Sequence, residues 1–276
     1  MHLNGHTLAA IPQRTLDAVV ALYCEEDRWR AQVQHVLRRH VDFLEARTLE
    51  TLVQLADMTS CSVLVIARHQ SDYTAALRRR HPLHPLVLVS NVEGREATCL
   101  VRSPRDEVVL FREVDRGLGP AVSRASVSGV LEQLAIGIET EKRIAPLLRA
   151  ALAFVYRARP PIRSIKELAA QVGCDPRTLE HHWRAAVPRA DGLRLHDVLS
   201  WMLLLHASTA RVRTANWSAV GADLGVCVQT IARLARALAD LSLGEVAALG
   251  PRGTLPLFTR RVPPALAVRE TLRVLT

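Results

Sequence analysis

The sequence predicts an α/β N-terminal domain followed by an all-α C-terminal domain that contains two helix-turn-helix units. Three observations carry this expectation. Through the first half, short continuous apolar runs alternate with segments of helical period, the pattern of parallel strands joined by crossover helices. Near the C-terminus, the stretch from Ile165 to Ala186, IKELAAQVGCDPRTLEHHWRAA, returns without a gap 52 residues later (Ile165 to Trp217) as WSAVGADLGVCVQTIARLARAL. Between the two copies, LRLHDVLSWMLLLHASTARV reads as one long linking helix.

The elements follow in order. AVVAL (18–22) is strand-like, RWRAQVQHVLRRH (28–40) is an amphipathic helix, and VDFLEA (41–46) is a short strand. TLETLVQLADM (48–58) is helical, and SVLVIA (62–67) has the unbroken apolar character of a strand buried on both faces. YTAALRRR (73–80) is a helix that stops before Pro82, and LVLVS (86–90) and EVVLF (107–111) complete five strands. Right-handed βαβ units then give a parallel sheet. Val127, Val130, Leu131, Leu134 and Ile138 fall at 3–4 spacing and define a connecting helix over 126–145, whose stripe is core or a dimer contact. PLLRAALAFVYRARP (146–160) is a second helix, ending before Pro160 and Pro161. The expected domains are 1–125 and 146–249. The tail 250–276, with four prolines, reads as irregular apart from a short helix in LAVRETLRVL.

In the repeat, Ile165 matches Trp217, Leu168 matches Val220, Val172 matches Leu224, Gly173 matches Gly225 and Leu179 matches Ile231. Ala169 and Gly221 are both small, as close approach of two helices requires. Ser164 is a good N-cap, and Glu167 three residues on completes a capping box. Gly173 permits a left-handed turn, Asp175 caps the next helix and Pro176 occupies its first position. Leu179, His182 and Trp183 then point inward, leaving Arg177, Thr178, Glu180, His181 and Arg184 outward. In a helix-turn-helix the second helix enters the DNA major groove. There Arg reads guanine, Thr touches a thymine methyl, Glu accepts from cytosine, and an arginine farther along meets phosphate. The second copy offers Gln229, Thr230, Arg233 and Arg236 on the corresponding face, with Gln229 suited to adenine. A metal role for His181–His182 is disfavoured, because adjacent helical residues diverge by about 100° and no His or Cys follows at i+3 or i+4.

From Pro146 to about Ala248 the chain resembles the C-terminal domain of AraC/XylS-type transcription regulators, down to the closing phrase LSLGEV (241–246). The resemblance implies two helix-turn-helix units joined by a long helix, bound to promoter DNA. The second unit departs from the family: Val226 stands for an aromatic, Ala232 or Ala235 for a Phe, Leu243 and Val246 for the closing Pro and Tyr, and the spacing after Gly225 is one residue short. The five strands over about Leu16 to Arg124 resemble the receiver domain of response regulators, a flavodoxin-like fold. That resemblance puts the acidic corner near Glu25, Glu26 and Asp27, the hydroxyl position at Ser90, and Arg112 in place of the family's Lys. The phosphoacceptor position falls on Ala67, followed by Arg68. Alanine has no oxygen to phosphorylate, so the expectation is a pseudo-receiver.

The net charge of +9 is spread along the chain, and residues 159–250 carry only eleven basic against eight acidic groups. Charge therefore permits DNA binding without establishing it. The five cysteines (24, 61, 99, 174, 227) are scattered, which argues against a disulfide framework or zinc site and fits a reducing cytoplasm. No apolar run reaches membrane-span length, and the N-terminus lacks secretory-signal character. No Walker loop, dinucleotide fingerprint or nucleophile triad is present. The expected function is a cytoplasmic, non-enzymatic transcription regulator that needs no cofactor. Its expected partners are double-stranded promoter DNA, a second copy of the chain, and a small-molecule or protein effector, with no membrane partner. The alternative is a protein-interaction adaptor with a decayed DNA-binding domain.

Overall fold

In the computed structural model, which describes residues 19–57, 61–67, 71–82, 84–92, 106–187, 192–214 and 216–266, the apolar runs form five parallel strands. These are β1 (Val19–Cys24), β2 (Phe43–Ala46), β3 (Cys61–Ala67), β4 (Leu86–Ser90) and β5 (Glu107–Leu110), in the order β2-β1-β3-β4-β5. This is the flavodoxin-like order of a doubly wound sheet, in which the chain reverses direction across the sheet between β1 and β3. The runs are unbroken because both faces are covered. Val20, Leu22, Val63, Val65, Val87 and Val89 pack on one side with Val33 and Leu37 of helix α1 (Asp27–Leu37). Ala21, Leu64, Ile66 and Leu88 pack on the other with Leu52 of α2 (Leu49–Asp57) and Leu77 of α3 (Ser71–Arg80). Arg78 ties the end of α3 to the sheet, donating to the His84 and Pro82 carbonyls and to the buried Asp106 carboxylate.

Expected and observed boundaries agree within a few residues, save in two places. The connecting helix begins at Val114, well before the apolar stripe at Val127: α4 runs unbroken over Val114–Thr140. Gly117, Gly119 and Pro120 disfavour helix locally, and tertiary packing overrides them. Val114, Leu118, Ala121, Val122 and Ala125 cover the sheet, while Val127, Val130, Leu131, Leu134 and Ile138 belong to a separate helical core. Buried on nearly every side, this helix has no single apolar stripe from which its full length could be read.

The second correction is the tail. The irregular course expected from Gly250 onward is instead helical to Ala265. Helix α11 spans Leu243–Ala265 with a break at Gly250, where φ is 62°. Pro251 opens its second half, as proline does at a first helical position. Leu255, Phe258 and Val262 then form a stripe buried in the helical core. The prolines punctuate this helix without preventing it. The LAVRETLRVL helix lies almost wholly outside the described residues.

The helical core gathers the second half of α4 with α5 (Pro146–Arg157), α6 (Ile165–Val172), α7 (Pro176–Ala186), α8 (Leu195–Arg213), α9 (Trp217–Leu224), α10 (Val228–Ala239) and α11. Phe258 sits at its centre, fully buried, with its ring 6.2 Å from that of Tyr156 and 6.1 Å from that of Trp201. Phe258→Ala should cost about 3–5 kcal/mol in urea-induced unfolding. A change near zero would mean that the tail helix is not part of the core.

Candidate nucleic-acid interface

The first unit forms as its sequence dictates. Ser164 Oγ accepts from the Glu167 N–H at 3.1 Å, and Asp175 accepts from the Arg177 N–H at 2.7 Å with Pro176 next in line. The capping box is displaced by one residue: Glu167 reaches back to the Arg163 N–H at 2.9 Å, not to that of Ser164. Leu168, Ala169, Leu179 and Trp183 are buried, and Trp183 Nε1 donates to the Leu193 carbonyl at 3.0 Å, which anchors α7 to the start of α8. Val172 and His182 are only half-buried.

The second unit repeats the turn and the first cap of this construction but not the second cap, because Cys227 stands at the Asp175 position and makes no side-chain cap hydrogen bond. Gly173 and Gly225 both adopt left-handed backbone, with φ of 70° and 64°. In each turn the next residue's N–H closes onto the helix behind it: Cys174 onto the Ala169 carbonyl at 3.0 Å, and Val226 onto the Gly221 carbonyl at 2.9 Å. Asn216, which stands where Ser164 stands in the first copy, accepts from the Ser218 N–H at 2.8 Å. At Gly221 an added Cβ would lie 2.6 Å from the Val226 carbonyl oxygen, so the turn packs directly on glycine backbone. The first unit also grips the second, because Arg163 Nη1 donates to the Gly225 carbonyl at 2.9 Å.

Of the expected contact residues, Arg177, Thr178, His181 and Arg184 are exposed along one face of α7. Gln229, Arg233 and Arg236 form the same kind of stripe on α10. Thr230 does not join them fully. It is half-buried, its hydroxyl 3.1 Å from Cys227 Sγ in the first turn. Two of the arginines carry local partners: Arg184 pairs with Glu180 at 3.3 Å and Arg236 with the C-cap Asp240 at 3.4 Å. The Asn216 cap was legible from the 52-residue offset. Arg163 carries no comparable signal, since its partner lies in the other copy.

A second candidate region is the crevice where β1 and β3 end. Cys24 and Ala67 are register partners there, and both are buried. Glu25 beside them accepts from the Tyr23 hydroxyl at 3.0 Å and from the Tyr73 hydroxyl, so its carboxylate is held by two phenols. Asp27 pairs with Arg30 at 2.6 Å, and Arg30 also donates to the Cys24 carbonyl. Ser90 is buried at the end of β4, its Oγ accepting from the Val92 N–H at 3.0 Å. Arg112 falls in a 3-10 turn just past β5 and is exposed, and Arg68 lies outside the described residues.

Behind the interface, the linking helix α8 carries His206. Burial, with the nearby Arg159 charge adding to it, lowers its pKa to about 3. Guanidinium groups only donate, so the 3.2 Å contact from Arg159 falls on Nδ1 as acceptor and leaves the proton on Nε2. His84, near the end of α3, is lowered to about 4, by burial first and then by His81 and Arg78.

No protein-family model matches this chain, and comparison with curated proteins yields no match. Among the described residues no group of His, Cys, Asp and Glu is placed to hold a metal ion. Among them, too, no helix is long and apolar enough to cross a membrane.

Gly221→Ala should destabilise the fold by about 1–3 kcal/mol, because backbone must move to admit the methyl. A chemical-denaturation change below about 0.5 kcal/mol, the usual surface value, would contradict the close packing. The histidines set a pH dependence. Both stay neutral when folded but take up protons near pH 6.5 when unfolded, so the unfolded chain binds more protons below that value. Stability is therefore complete above pH 6.5 and falls as pH drops, by about 1.4 kcal/mol per unit for each histidine. His206→Asn should remove roughly half of that slope between pH 6.5 and 5; an unaltered slope would show that His206 titrates normally.

Proposed function

We propose that the protein is a DNA-binding transcription regulator of the AraC/XylS type, which recognises promoter DNA through tandem helix-turn-helix units. The observation that carries this is the equivalence of the two units at the turn, with the same left-handed glycine and the same closing backbone bond, each exposing a polar, arginine-bearing stripe on its second helix. A fold that only needed a helical core has no use for two such turns in register. The linking helix adds support. Its 19 residues extend about 28 Å, close to the roughly 34 Å between successive major-groove faces. Arg177 and Gln229 are the base-reading candidates, Thr178, His181 and Arg233 flank them, and Arg184 and Arg236 suit phosphate.

The sheet-bearing part serves as a pseudo-receiver with a regulatory or dimerising role independent of phosphorylation. Its strand order supports that reading, as does an alanine at the end of β3. Its input is an effector or a second copy of the chain. One observation favours the adaptor alternative: Arg184 and Arg236 already have carboxylate partners, Glu180 on the same helix and Asp240 at its helix's C-cap.

In vitro selection of bound DNA, followed by gel shift on the selected site, tests the proposal. Arg177→Ala and Arg233→Ala should each weaken specific binding by about 1–3 kcal/mol, roughly fivefold or more, with smaller loss on random DNA. Affinity should also fall steeply with salt. Failure to enrich any sequence would favour the adaptor, and unaltered binding by both variants would remove these residues from the interface.

A further inference from the structure

The sheet and the linking helix face each other across a cleft of about 260 Å³, walled by β5, α4, the segment after α5, α8 and α9. Three guanidinium groups meet there, those of Arg124, Arg159 and Arg213, against the carboxylates of Glu107 and Asp223. Glu107 lies between two of the arginines. Arg124 grips it with Nε and Nη2 at 3.0 and 2.8 Å, and Arg213 donates to it at 2.6 Å. Burial works to raise the Glu107 pKa, but the hydrogen bonds and charges of the two arginines outweigh it and hold the carboxyl below its usual range. Arg159 donates to two neutral acceptors, Ser128 Oγ at 2.7 Å and His206 Nδ1 at 3.2 Å. The His206 ring lines the cleft, and its buried Nε2 has no partner among the described residues.

Among the described lining residues three guanidinium groups stand against two carboxylates, and Arg159 and Arg213 are both solvent-exposed. We propose that this cleft binds a small anion bearing a carboxylate or phosphate group, held by Arg159 and Arg213 in competition with the Glu107 carboxylate. Planar guanidinium groups pair bidentately with either oxyanion. The volume admits an inorganic phosphate or a small di- or tricarboxylate and is too small for a dinucleotide.

The position gives such an anion leverage. Glu107 belongs to β5, Arg213 ends α8 just before the second unit, and Arg159 precedes the first unit. An anion that draws Arg213 from Glu107 loosens a contact joining the sheet to α8 and bridges the two segments that lead into the units. The effect on DNA rests on the proposed function, whereas anion binding stands without it and is measured on the full chain without DNA.

Isothermal titration with inorganic phosphate, succinate and citrate, at matched ionic strength, tests the site. Saturable binding of one or more is expected, and the pattern separates phosphate from carboxylate ligands. Arg159→Gln and Arg213→Gln should each weaken it by about tenfold or more, as loss of a charge-assisted pair requires. Arg260→Gln, on exposed α11 surface, should leave it unaltered. Glu107→Gln removes the internal competitor and should tighten binding several-fold, which a purely structural Glu107 would not do. Thermal melts without ligand confirm that each variant folds. No saturable binding of any probe, or equal binding by wild type and both arginine variants, would overturn the proposal. A gel shift with and without the bound anion then separates a failed effector role from failed DNA recognition.

Discussion

Everything in this molecule hangs on one helix that belongs to two cores. Residues 114–125 of α4 cover a face of the sheet, and residues 127–138 are the hub of the helical core. Each buried Leu, Val or Ile on it contributes about 1.5–3 kcal/mol, so neither core is complete without its share. The helix also forces polar groups inside. Glu132, only 4 % exposed, is met by Arg157 at 2.8 Å, and the same guanidinium reaches Glu139. Removing Arg157 would take the guanidinium from a buried carboxylate, which costs more than the pair itself contributes.

From that hub the helical part is organised around α8. The two helix-turn-helix units pack on it, and the tail helix α11 closes over it through Phe258. The surfaces that face outward on α7 and α10 are therefore displayed from a rigid frame. Their geometry is fixed by caps, left-handed glycines and the Arg163–Gly225 bond more than by the stripes themselves. A site on rigid elements is more precise than one on loops.

Much of this was legible because the relevant forces are local. Unbroken apolar runs gave the strands, since a doubly covered strand needs apolar residues on both faces. Ser164, Gly173, Asp175 and Pro176 act within a few residues of themselves, and their roles followed from identity and spacing. What escaped was non-local. The start of α4 and the tail helix run against the propensities of Gly and Pro, and only burial in distant cores explains them. The cleft was not legible either: Glu107 and Arg213 are 106 residues apart and meet only once α4 has set the sheet against α8.

The sequence ranks the first unit above the second, because the second lacks the aromatic packing of the family it resembles. The structure moves that comparison onto electrostatics. Both scaffolds share the same turn bond and left-handed glycine, so the aromatics are not needed to form the unit. The local pairs on Arg184 and Arg236 are exposed i,i+4 contacts, worth about 0.3–0.5 kcal/mol, and a phosphate displaces them readily. What differs is the acid left behind. Glu180 lies within the α7 stripe, where in the proposed DNA complex a released carboxylate would face the backbone, whereas Asp240 lies beyond the end of α10. Under the proposed function, then, charge alone makes the second helix the more accommodating to a phosphate backbone. The first, with Glu180 able to accept from cytosine in that proposed complex, would be the more selective.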